Sequence, residues 1–344
     1  MSDLHGRMVG VILAAGKGVR MHPFSDRHPK PILPILNVPL LVHQIAAIRD
    51  CGLTDIYIVV GHLGYRIASV LGDGERYGVR LHFVGQESTL GLAHAVGALE
   101  SSVQWPFLLM LGDIHFHLKA PLRPLLDDVL QGRVNANLVS MIEPDPEMMK
   151  RNFVIRADGS GRVSRVIEKP RYADSQLKGC GLYVFDQHIF DAIRRTPRTA
   201  LRDEYEITDS IQILIDDGWI VHHQPIVERD LNLTKPDDLL RINLLELRRK
   251  GLAALVHEGV QAPAGTRFHN CVIGEGVVIR HPIRIADSVI TAGTEVTSAS
   301  DLEAVNIEMN TLNMSILIGL FQKIKGGMLV MSQMKQVVQS FYMY

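Results

Sequence analysis

The chain has 344 residues, of which 47% are apolar and 21% charged, and its formal net charge is −1. This length exceeds what one hydrophobic core usually covers, so we expect a main domain with an appendage. A nearly neutral chain has no electrostatic field for general attraction of nucleic acid, which argues against nucleic acid as a partner.

The cysteines and the N-terminus indicate the compartment. Cys51, Cys180 and Cys271 lie far apart and lack the spacing of a redox motif or a metal site, as is typical of isolated thiols in a reducing environment. The N-terminal segment lacks the pattern of a signal peptide, and the sequence has no uninterrupted apolar run of about 18 residues that would span a membrane. We therefore expect a cytoplasmic protein without a membrane span.

The first part of the chain alternates apolar strands with amphipathic helices. Strands are predicted at 9–14, 56–60, 81–84 and 107–111, and helices at 39–51, 64–71 and 93–99. This order predicts a Rossmann-like α/β fold, with a mixed, mainly parallel sheet flanked by helices. Because ligands bind beyond the carboxyl ends of parallel strands, the loops after Ala14, Val84 and Leu111 should converge on one site.

The pattern changes from residue 152 onwards to strands, turns and helices. Residues 153–170 predict a hairpin that turns at Asp158-Gly159. Further strands are predicted at 179–185 and 219–227, and helices at 187–195, 206–217 and 236–249. Asp237 and Asp238 stand in the first turn of the last helix, where acidic side chains are stabilising.

A six-residue aliphatic period begins near Gly259. Its positions are Val260, Thr266, Val272, Val278, Arg284, Ile290 and Val296. Such a period predicts a short left-handed parallel β-helix over residues 259–298, with three hexapeptides in each turn. Arg284 interrupts the row, and an irregular β-appendage is the alternative.

Residues 302–344 form a tail of different character. Leu312, Ile316, Leu320 and Ile324 share a helical face. Packing or an oligomer contact explains such a face, and a peripheral membrane helix is the alternative. The predicted domains are therefore 1–250, 259–298 and this tail.

The loop after the first strand carries the first functional signal. Gly16-Lys17-Gly18 follows an apolar strand, so its backbone N–H groups can face a phosphate, and a bare tight turn is the alternative. It is not a Walker A motif, and the third glycine of a dinucleotide fingerprint is missing. Arg20 and Lys30 follow, and Pro29 and Pro31 restrict the backbone on either side of Lys30. Two cations after a glycine loop favour a phosphate site.

The segment LAAGKGVRMHPFSDRHPKPILPI resembles the signature of the sugar-1-phosphate nucleotidylyltransferases, the nucleotide-sugar pyrophosphorylases. Members usually have GxGTRLxP…PKxLxP, and here Val19 and Met21 replace the threonine and the leucine. Further stretches resemble family motifs in chain order: GQESTLGLAHAV, LGDIHF, VIEKP, GCGLYVF, DEYEITD and RDLNLTKPDDLLRIN. The resemblance covers roughly residues 8–245, and a β-helix after the catalytic domain is common in this family.

The resemblance implies transfer of a nucleotidyl group from UTP or dTTP to a hexose-1-phosphate, giving an NDP-sugar and pyrophosphate. The first loop is similar to the N-acetylglucosamine-1-phosphate uridylyltransferases, whereas GLAHAV and LGDIHF are similar to the glucose-1-phosphate thymidylyltransferases. The chemistry agrees with such a site. An anionic phosphate oxygen must attack the α-phosphorus of a triphosphate, which requires cations and a metal rather than a strong base.

The resemblance also assigns roles to individual residues. Those expected to be catalytic are Arg20, Lys30, Asp113 and Lys169. Those expected to bind the nucleotide are Leu13, Ala14, Ala15, Gly16, Gly18, Arg20, Lys30, Gln86 and Gly91. Those expected to bind the sugar phosphate are Glu168, Lys169, Gly179 and Gly181. Mg²⁺ is expected on Asp113 and Asp230, with Asn232 as the rival of Asp230.

One departure from the family pattern concerns the sugar pocket. Where members commonly have YGVV, with the glycine touching a sugar hydroxyl, this chain has NFVI. Phe153 stands at or near the position of that glycine. We therefore expect a sugar pocket that differs from that of the glucose-specific enzymes.

Two rival functions remain at this point. A catalytically silent, nucleotide-sugar-binding regulatory subunit of the same fold typically loses a cation or a metal carboxylate, and this chain keeps all the expected ones. A Rossmann-type oxidoreductase would need the missing third glycine and an acid after the second strand, where this chain has Gly61-His62. We expect a single activity in a homo-oligomer whose substrates are a nucleoside triphosphate and a sugar-1-phosphate.

Overall fold

A computed structural model describes residues 4, 6–172, 174–200 and 203–307. The chain divides into two compact units, residues 1–242 and 243–344. The division falls after Ile242, inside the helix Pro236–Arg249.

The first unit alternates strands and helices in the predicted order. Its strands are β1 Val9–Ala14, β2 Pro34–Ile35, β3 Val38–Pro39, β4 Asp55–Val60, β5 Arg80–Gly85, β6 Phe107–Leu111, β7 Ile114–Leu118, β8 Ala136–Ile142, β9 Phe153–Ala157, β10 Val163–Glu168, β11 Leu177–Phe185, β12 Val221–Gln224 and β13 Val227–Asn232. Its helices are α1 Leu40–Asp50, α2 Gly64–Leu71, α3 Leu92–Gly97, α4 Arg123–Leu130, α5 Pro146–Met149, α6 His188–Arg195 and α7 Ile207–Asp216. Helix α8, Pro236–Arg249, follows them, and short 3-10 turns lie at Val19–Met21, Phe24–Asp26, Lys30–Ile32 and Glu75–Tyr77.

The central sheet is mixed and mainly parallel, which confirms the predicted α/β class. Strand β1 lies between β4 and β6, and β4 pairs with β5, all in parallel. On the other side of β6, strand β11 is antiparallel and connects the sheet to β8 and to the β9–β10 hairpin. Strand β12 completes this sheet beside β8.

The apolar run of β1 is explained by burial on both faces of the sheet. Val9, Val11 and Leu13 belong to one core cluster, whereas Ile12 and Ala14 belong to the other. Successive side chains of a strand point to opposite faces, so a strand covered on both sides needs apolar residues throughout. The continuous apolar sequence follows from this position at the centre of the sheet.

One part of the first unit differs from the sequence-based expectation. The strand predicted at 219–227 is two strands, β12 and β13, with Pro225 between them. Proline lacks the N–H that a ladder needs, which explains the break. Strand β13 pairs with β7 in a separate two-stranded ladder, so that Asn232 faces Ile114.

The second unit carries short parallel strands beyond α8. They are β14 Leu255–Val256, β15 Arg267–His269, β16 Val272–Ile273, β17 Val278–Ile279, β18 Arg284–Ala286, β19 Val289–Ile290, β20 Glu295–Val296, β21 Leu302–Glu303 and β22 Asn306–Ile307. Leu255 pairs with Val272 and Val272 with Val289, a step of 17 residues each time. These ladders fit a β-helix that continues past residue 298, and its left hand stays a prediction. The helical face predicted at 312–324 lies outside the described residues.

Arg284 does not interrupt this unit, because its side chain is exposed on β18 while Ile285 and Ala286 are buried. None of the three cysteines, all of which the structure describes, forms a disulfide. Within the described ranges, no helix is both long enough and apolar enough to cross a membrane.

Candidate active site

The carboxyl ends of β1 and β6 bring the glycine loop beside Asp113. The backbone N–H of Gly112 donates to the carbonyl of Leu13 at 2.8 Å, so the chain leaves both strands at one point. Ala14 and Ala15 are buried there, and Gly16 begins the exposed loop. The convergence expected for parallel strands is therefore present at these two ends.

Lys30 crosses the glycine loop. Gly18 has φ +66, and a Cβ built on it would lie 3.0 Å from both Cγ and Cε of Lys30. This backbone conformation and this close approach both favour glycine. Lys30 itself begins a 3-10 turn whose second residue is Pro31, and its aliphatic stem is buried against the loop.

The ammonium of Lys30 lies beside the carboxylate of Asp113. Its Nζ is 3.6 Å from Oδ2 of Asp113, a side chain that keeps about two fifths of its surface exposed. Gln44 of α1 fixes the turn that carries this carboxylate, because its Nε2 donates to the carbonyls of Leu111 at 2.8 Å and Ile114 at 2.7 Å. A cation and an accessible carboxylate thus meet at the mouth of the glycine loop.

The remaining cations of the loop point into solvent. Lys17 and Arg20 are exposed, and neither takes part in the ion pairs recorded among the described residues. Val19 is 74% exposed at the start of its 3-10 turn. Because this side chain is largely in solvent, the fold does not require the threonine that the family usually has at this position.

The predicted base-binding residues form a cluster with Tyr205. Gln86 follows β5 and is 7% exposed, and its Nε2 lies 2.9 Å from Nδ1 of His94 on α3. Gly91 has φ +108, and a Cβ built on it would lie 2.4 Å from the carbonyl oxygen of Tyr205. Since no side chain fits there, only glycine allows α3 to begin against this backbone.

The predicted sugar-phosphate residues lie at the end of β10. Lys169 has φ +42, and its Nζ is 3.5 Å from Oε1 of Glu168. The hydroxyl of Thr208, in the first turn of α7, lies 3.4 Å from Oε2 of Glu168. Burial, together with the nearby charge of Glu168, raises the pKa of Asp209 on the same turn. Two carboxyl groups and one lysine therefore border this end of the sheet.

Phe153 occupies the space beside Gly179. A Cβ built on Gly179 would lie 1.6 Å from Cζ of Phe153, so the ring covers the position of the missing side chain. The ring also stacks on Tyr183, with centroids 6.1 Å apart, and the backbone of Phe153 pairs with that of Glu168 in the hairpin. Gly181, with φ +68, lies in the irregular stretch of β11 between Gly179 and Tyr183.

Asp230 is engaged in a buried ion pair. Its Oδ1 accepts a hydrogen bond from Nζ of Lys178 at 2.8 Å, and the two side chains are only 8% and 3% exposed. Burial raises the pKa of Asp230, and Lys178 opposes that rise only in part. The predicted metal carboxylate is therefore held inside the protein by a lysine.

Asn232 occupies the position nearer to Asp113. It faces Ile114 across the ladder of β13 and β7, whereas Asp230 faces Phe116. The backbone N–H of Leu233, the next residue, donates to the carbonyl of Asp113 at 2.9 Å. In the ladder, Asn232 thus lies closer than Asp230 to the residue that carries the exposed carboxylate.

Several residues of this region escaped the sequence-based reasoning. Lys178 gave the clearest signal, because it is a charged residue inside the apolar strand LKGCGLYVF. Gln44 and Thr208 gave none, since their contacts join segments far apart in the chain, and His94 gave none although its partner Gln86 is only 8 residues away. His115 and His117, on β7, are buried with ring centroids 5.4 Å apart, and their alternate spacing was visible in LGDIHFH.

The geometry suits the binding of a polyanion. Three kinds of group lie together at the ends of β1 and β6. They are the exposed backbone at Gly16, the cations Lys17, Arg20 and Lys30, and the carboxylate of Asp113. Cations bind phosphate oxygens, and an exposed carboxylate among them offers a ligand for a divalent metal.

Comparison with known proteins supports this interpretation of the site. A family model described as nucleotidyl transferase matches residues 9–229. The chain is 34% identical over 247 residues to the low-salt glycan biosynthesis nucleotidyltransferase Agl11 of Haloferax volcanii, covering 71% of this chain and 68% of that protein. It is 31% identical to a glucose-1-phosphate thymidylyltransferase of Streptomyces griseus, covering 85% and 80%.

A uridylyltransferase and a solved structure are also similar. The UTP–glucose-1-phosphate uridylyltransferase AglF of Haloferax volcanii is 32% identical, over 67% of this chain and 93% of that protein. A Bacillus anthracis protein assigned as a glucose-1-phosphate thymidylyltransferase, crystallised with sucrose, superposes with a TM-score of 0.61. Its identity is 27%, and the match covers 69% of this chain and 94% of that one.

Proposed function

This chain belongs to the nucleotidyl transferase family, and from that membership we propose that it transfers a nucleotidyl group from UTP or dTTP to a hexose-1-phosphate. The products are an NDP-sugar and pyrophosphate. The similarity to both a thymidylyltransferase and a uridylyltransferase supports a pyrimidine nucleotide and a sugar-1-phosphate as substrates.

The observation that carries the proposal is the pairing of Lys30 with Asp113. Nζ of Lys30 lies 3.6 Å from Oδ2 of Asp113 at the shared exit of β1 and β6. A triphosphate on the glycine loop would meet the ammonium of Lys30, and Arg20 can grip its outer phosphates through two N–H groups. Both cations stabilise the charge that grows on the departing pyrophosphate.

The end of β10 is assigned to the attacking substrate. Lys169 would hold the phosphate of the sugar, which reduces its repulsion from the nucleotide. Glu168 would accept hydrogen bonds from sugar hydroxyls, and Thr208 helps to orient its carboxylate. The ring of Phe153, which packs against Gly179, would limit the space beside a bound sugar and so restrict which sugars fit.

Nucleotidyl transfer in this family generally uses a divalent metal, and we assign Mg²⁺ to Asp113 and Asn232. The donors fit, because carboxylate and amide oxygens are the hard ligands that Mg²⁺ prefers. Asp230 is the weaker candidate, since its carboxylate is buried and held by Lys178 at 2.8 Å. When bound there, the metal would neutralise phosphate charge near the α-phosphorus.

The compartment and the assembly of the protein are two further predictions. The three cysteines are free thiols, which supports the cytoplasm, where nucleoside triphosphates are available. A homo-oligomer stays a prediction.

The experiment is release of pyrophosphate across a grid of four nucleoside triphosphates and several sugar-1-phosphates with Mg²⁺. We expect turnover with UTP or dTTP and at least one hexose-1-phosphate. Folded protein that binds these nucleotides but releases no pyrophosphate anywhere in the grid would instead be a catalytically silent binding subunit.

A further inference from the structure

The amide of Gln86 is held in one orientation by His94. Nε2 of Gln86 lies 2.9 Å from Nδ1 of His94, and Gln86 is 7% exposed. An amide nitrogen only donates hydrogen bonds, so Nδ1 of His94 accepts here and the ring carries its proton on Nε2. One N–H of Gln86 is therefore used inside the protein.

The ring of His94 is itself fixed. It stacks on Tyr205 with centroids 6.3 Å apart, and Tyr205 is tied to the start of α3 by two backbone hydrogen bonds, from its N–H to Leu90 and from Ala93 to its carbonyl. His94 also borders a cavity of about 430 Å³, together with Arg194 and Thr196. A ring N–H of His94 that faces this cavity can donate a hydrogen bond to water, which is compatible with the tautomer that accepts from Gln86.

The fixed amide determines which pyrimidine it can recognise. With one N–H directed at His94, Gln86 has Oε1 and its second N–H left for a base. Uracil and thymine carry a hydrogen-bond donor at N3 beside the acceptor O4, which matches that pair. Cytosine carries an acceptor at N3 beside an amino group, so it requires the amide to rotate by half a turn.

We propose that His94 is a positioning residue that makes Gln86 select uracil or thymine over cytosine. The inference rests on the proposed function, in which Gln86 contacts the base. Rotation of the amide would place Oε1 against Nδ1 of His94, two acceptors in contact, unless the ring moved its proton from Nε2 to Nδ1. Recognition of cytosine thus requires two coupled changes, whereas uracil requires neither.

The test measures the dissociation constants of UTP and CTP with Mg²⁺ and without sugar phosphate, in the intact protein and three variants. His94→Asp keeps only an acceptor at this position, His94→Lys keeps only donors, and His94→Leu keeps neither. The ratio of the CTP constant to the UTP constant cancels effects common to both nucleotides, because their phosphates are identical.

We expect the ratio to stay high in His94→Asp and to fall towards one in His94→Leu. In His94→Lys it should fall by about 10- to 100-fold, since an obligate donor turns the amide towards cytosine. Thermal unfolding of each variant checks the fold. If the lysine variant does not fold, the comparison of His94→Asp with His94→Leu is enough to test the inference.

An unchanged ratio in folded His94→Lys, or in folded His94→Leu where the lysine variant does not fold, would overturn the inference while leaving the proposed function intact. An equal decrease of the CTP-to-UTP ratio in His94→Asp and His94→Lys would also overturn it, because a purely structural role of His94 would not distinguish a donor from an acceptor. Failure of the unaltered protein to bind UTP or dTTP would instead reject the proposed function.

Discussion

The ammonium of Lys30 lies 3.6 Å from the carboxylate of Asp113. The two residues come from different loops, one aimed by flanking prolines and the other held by Gln44 at the end of β6. Their meeting point is where the chain leaves the two central strands. A triphosphate bound there would be met by a cation and by a metal-binding carboxylate at once.

Replacement of Lys30 should impair chemistry more than folding. Lys30→Met keeps the volume of the buried stem and removes the charge, so kcat should fall by about 10²- to 10³-fold, the usual effect of losing one preorganised stabilising group. Steady-state kinetics with the best substrate pair measures the change. Lys150→Met, which removes an exposed lysine paired with Glu147, is the matched control and should keep kcat within about two-fold. Equal kcat values for both variants would exclude Lys30 from catalysis.

Asn232 rather than Asp230 should govern the dependence on Mg²⁺. Asn232→Ala removes the amide oxygen that we assign to the metal together with Asp113, so the Mg²⁺ concentration for half-maximal activity should rise by about ten-fold or more. Asn232→Asp, which keeps an oxygen ligand, is the control and should need no more Mg²⁺ than the unaltered protein. The measurement is a Mg²⁺ titration of the initial rate. A normal titration for Asn232→Ala would return the metal to Asp230.

Disruption of the buried pair of Lys178 and Asp230 should destabilise the first unit. Asp230→Asn leaves the ammonium of Lys178 buried without its counter-charge, which typically costs about 3–5 kcal/mol of unfolding free energy. The double variant Lys178→Met/Asp230→Leu removes both charges and should lose much less. Urea denaturation of the three proteins checks this order. Equal losses in the single and double variants would contradict it.

Addition of one methyl group at Gly179 should be strongly destabilising. A Cβ there would lie 1.6 Å from the ring of Phe153, so Gly179→Ala must displace the ring, at a cost of at least about 1–3 kcal/mol. Gly159→Ala, at a turn where an added Cβ meets nothing within 4 Å, is the control. Phe153→Leu combined with Gly179→Ala should recover part of the loss. Thermal unfolding distinguishes these outcomes, and an unaffected Gly179→Ala protein would contradict the packing described.

The cysteines should react slowly with thiol reagents in the folded protein. Burial raises the pKa of Cys51 to about 11 and that of Cys271 to about 11, and it raises the pKa of Cys180 further still. A raised thiol pKa leaves little thiolate at pH 8, and the thiolate is the reactive form. Labelling with iodoacetamide at pH 8 should be slow, and should become fast in denaturant. Rapid modification of the native protein would contradict this burial.

Local patterns predicted much of the fold. The continuous apolar run of β1 and the helical spacing of α2 gave the observed bounds, because both elements lie in cores that demand those patterns. The pairing of Lys178 with Asp230 was not predicted, since it depends on β13 passing β11 after a gap of 52 residues.

The base-binding cluster shows the same limit. Gln86 and Gly91 were predicted from their motif. The contacts of Tyr205 with His94 and with the start of α3 were not, because Tyr205 lies more than a hundred residues further along the chain. The choice between Asp230 and Asn232 required the register of β13 against β7, which no spacing in the sequence provides. Local motifs predicted which residues form the site, and the tertiary contacts show which of them lie close together.

The reaction that we propose joins the α-phosphate of UTP or dTTP to a sugar phosphate. The direct measurement follows radiolabel from α-³²P and γ-³²P nucleotide in separate reactions with a hexose-1-phosphate and Mg²⁺. The α label should appear in the NDP-sugar and the γ label in pyrophosphate, and Asp113→Asn should abolish both. Appearance of the γ label as inorganic phosphate, with no label in an NDP-sugar, would contradict the account.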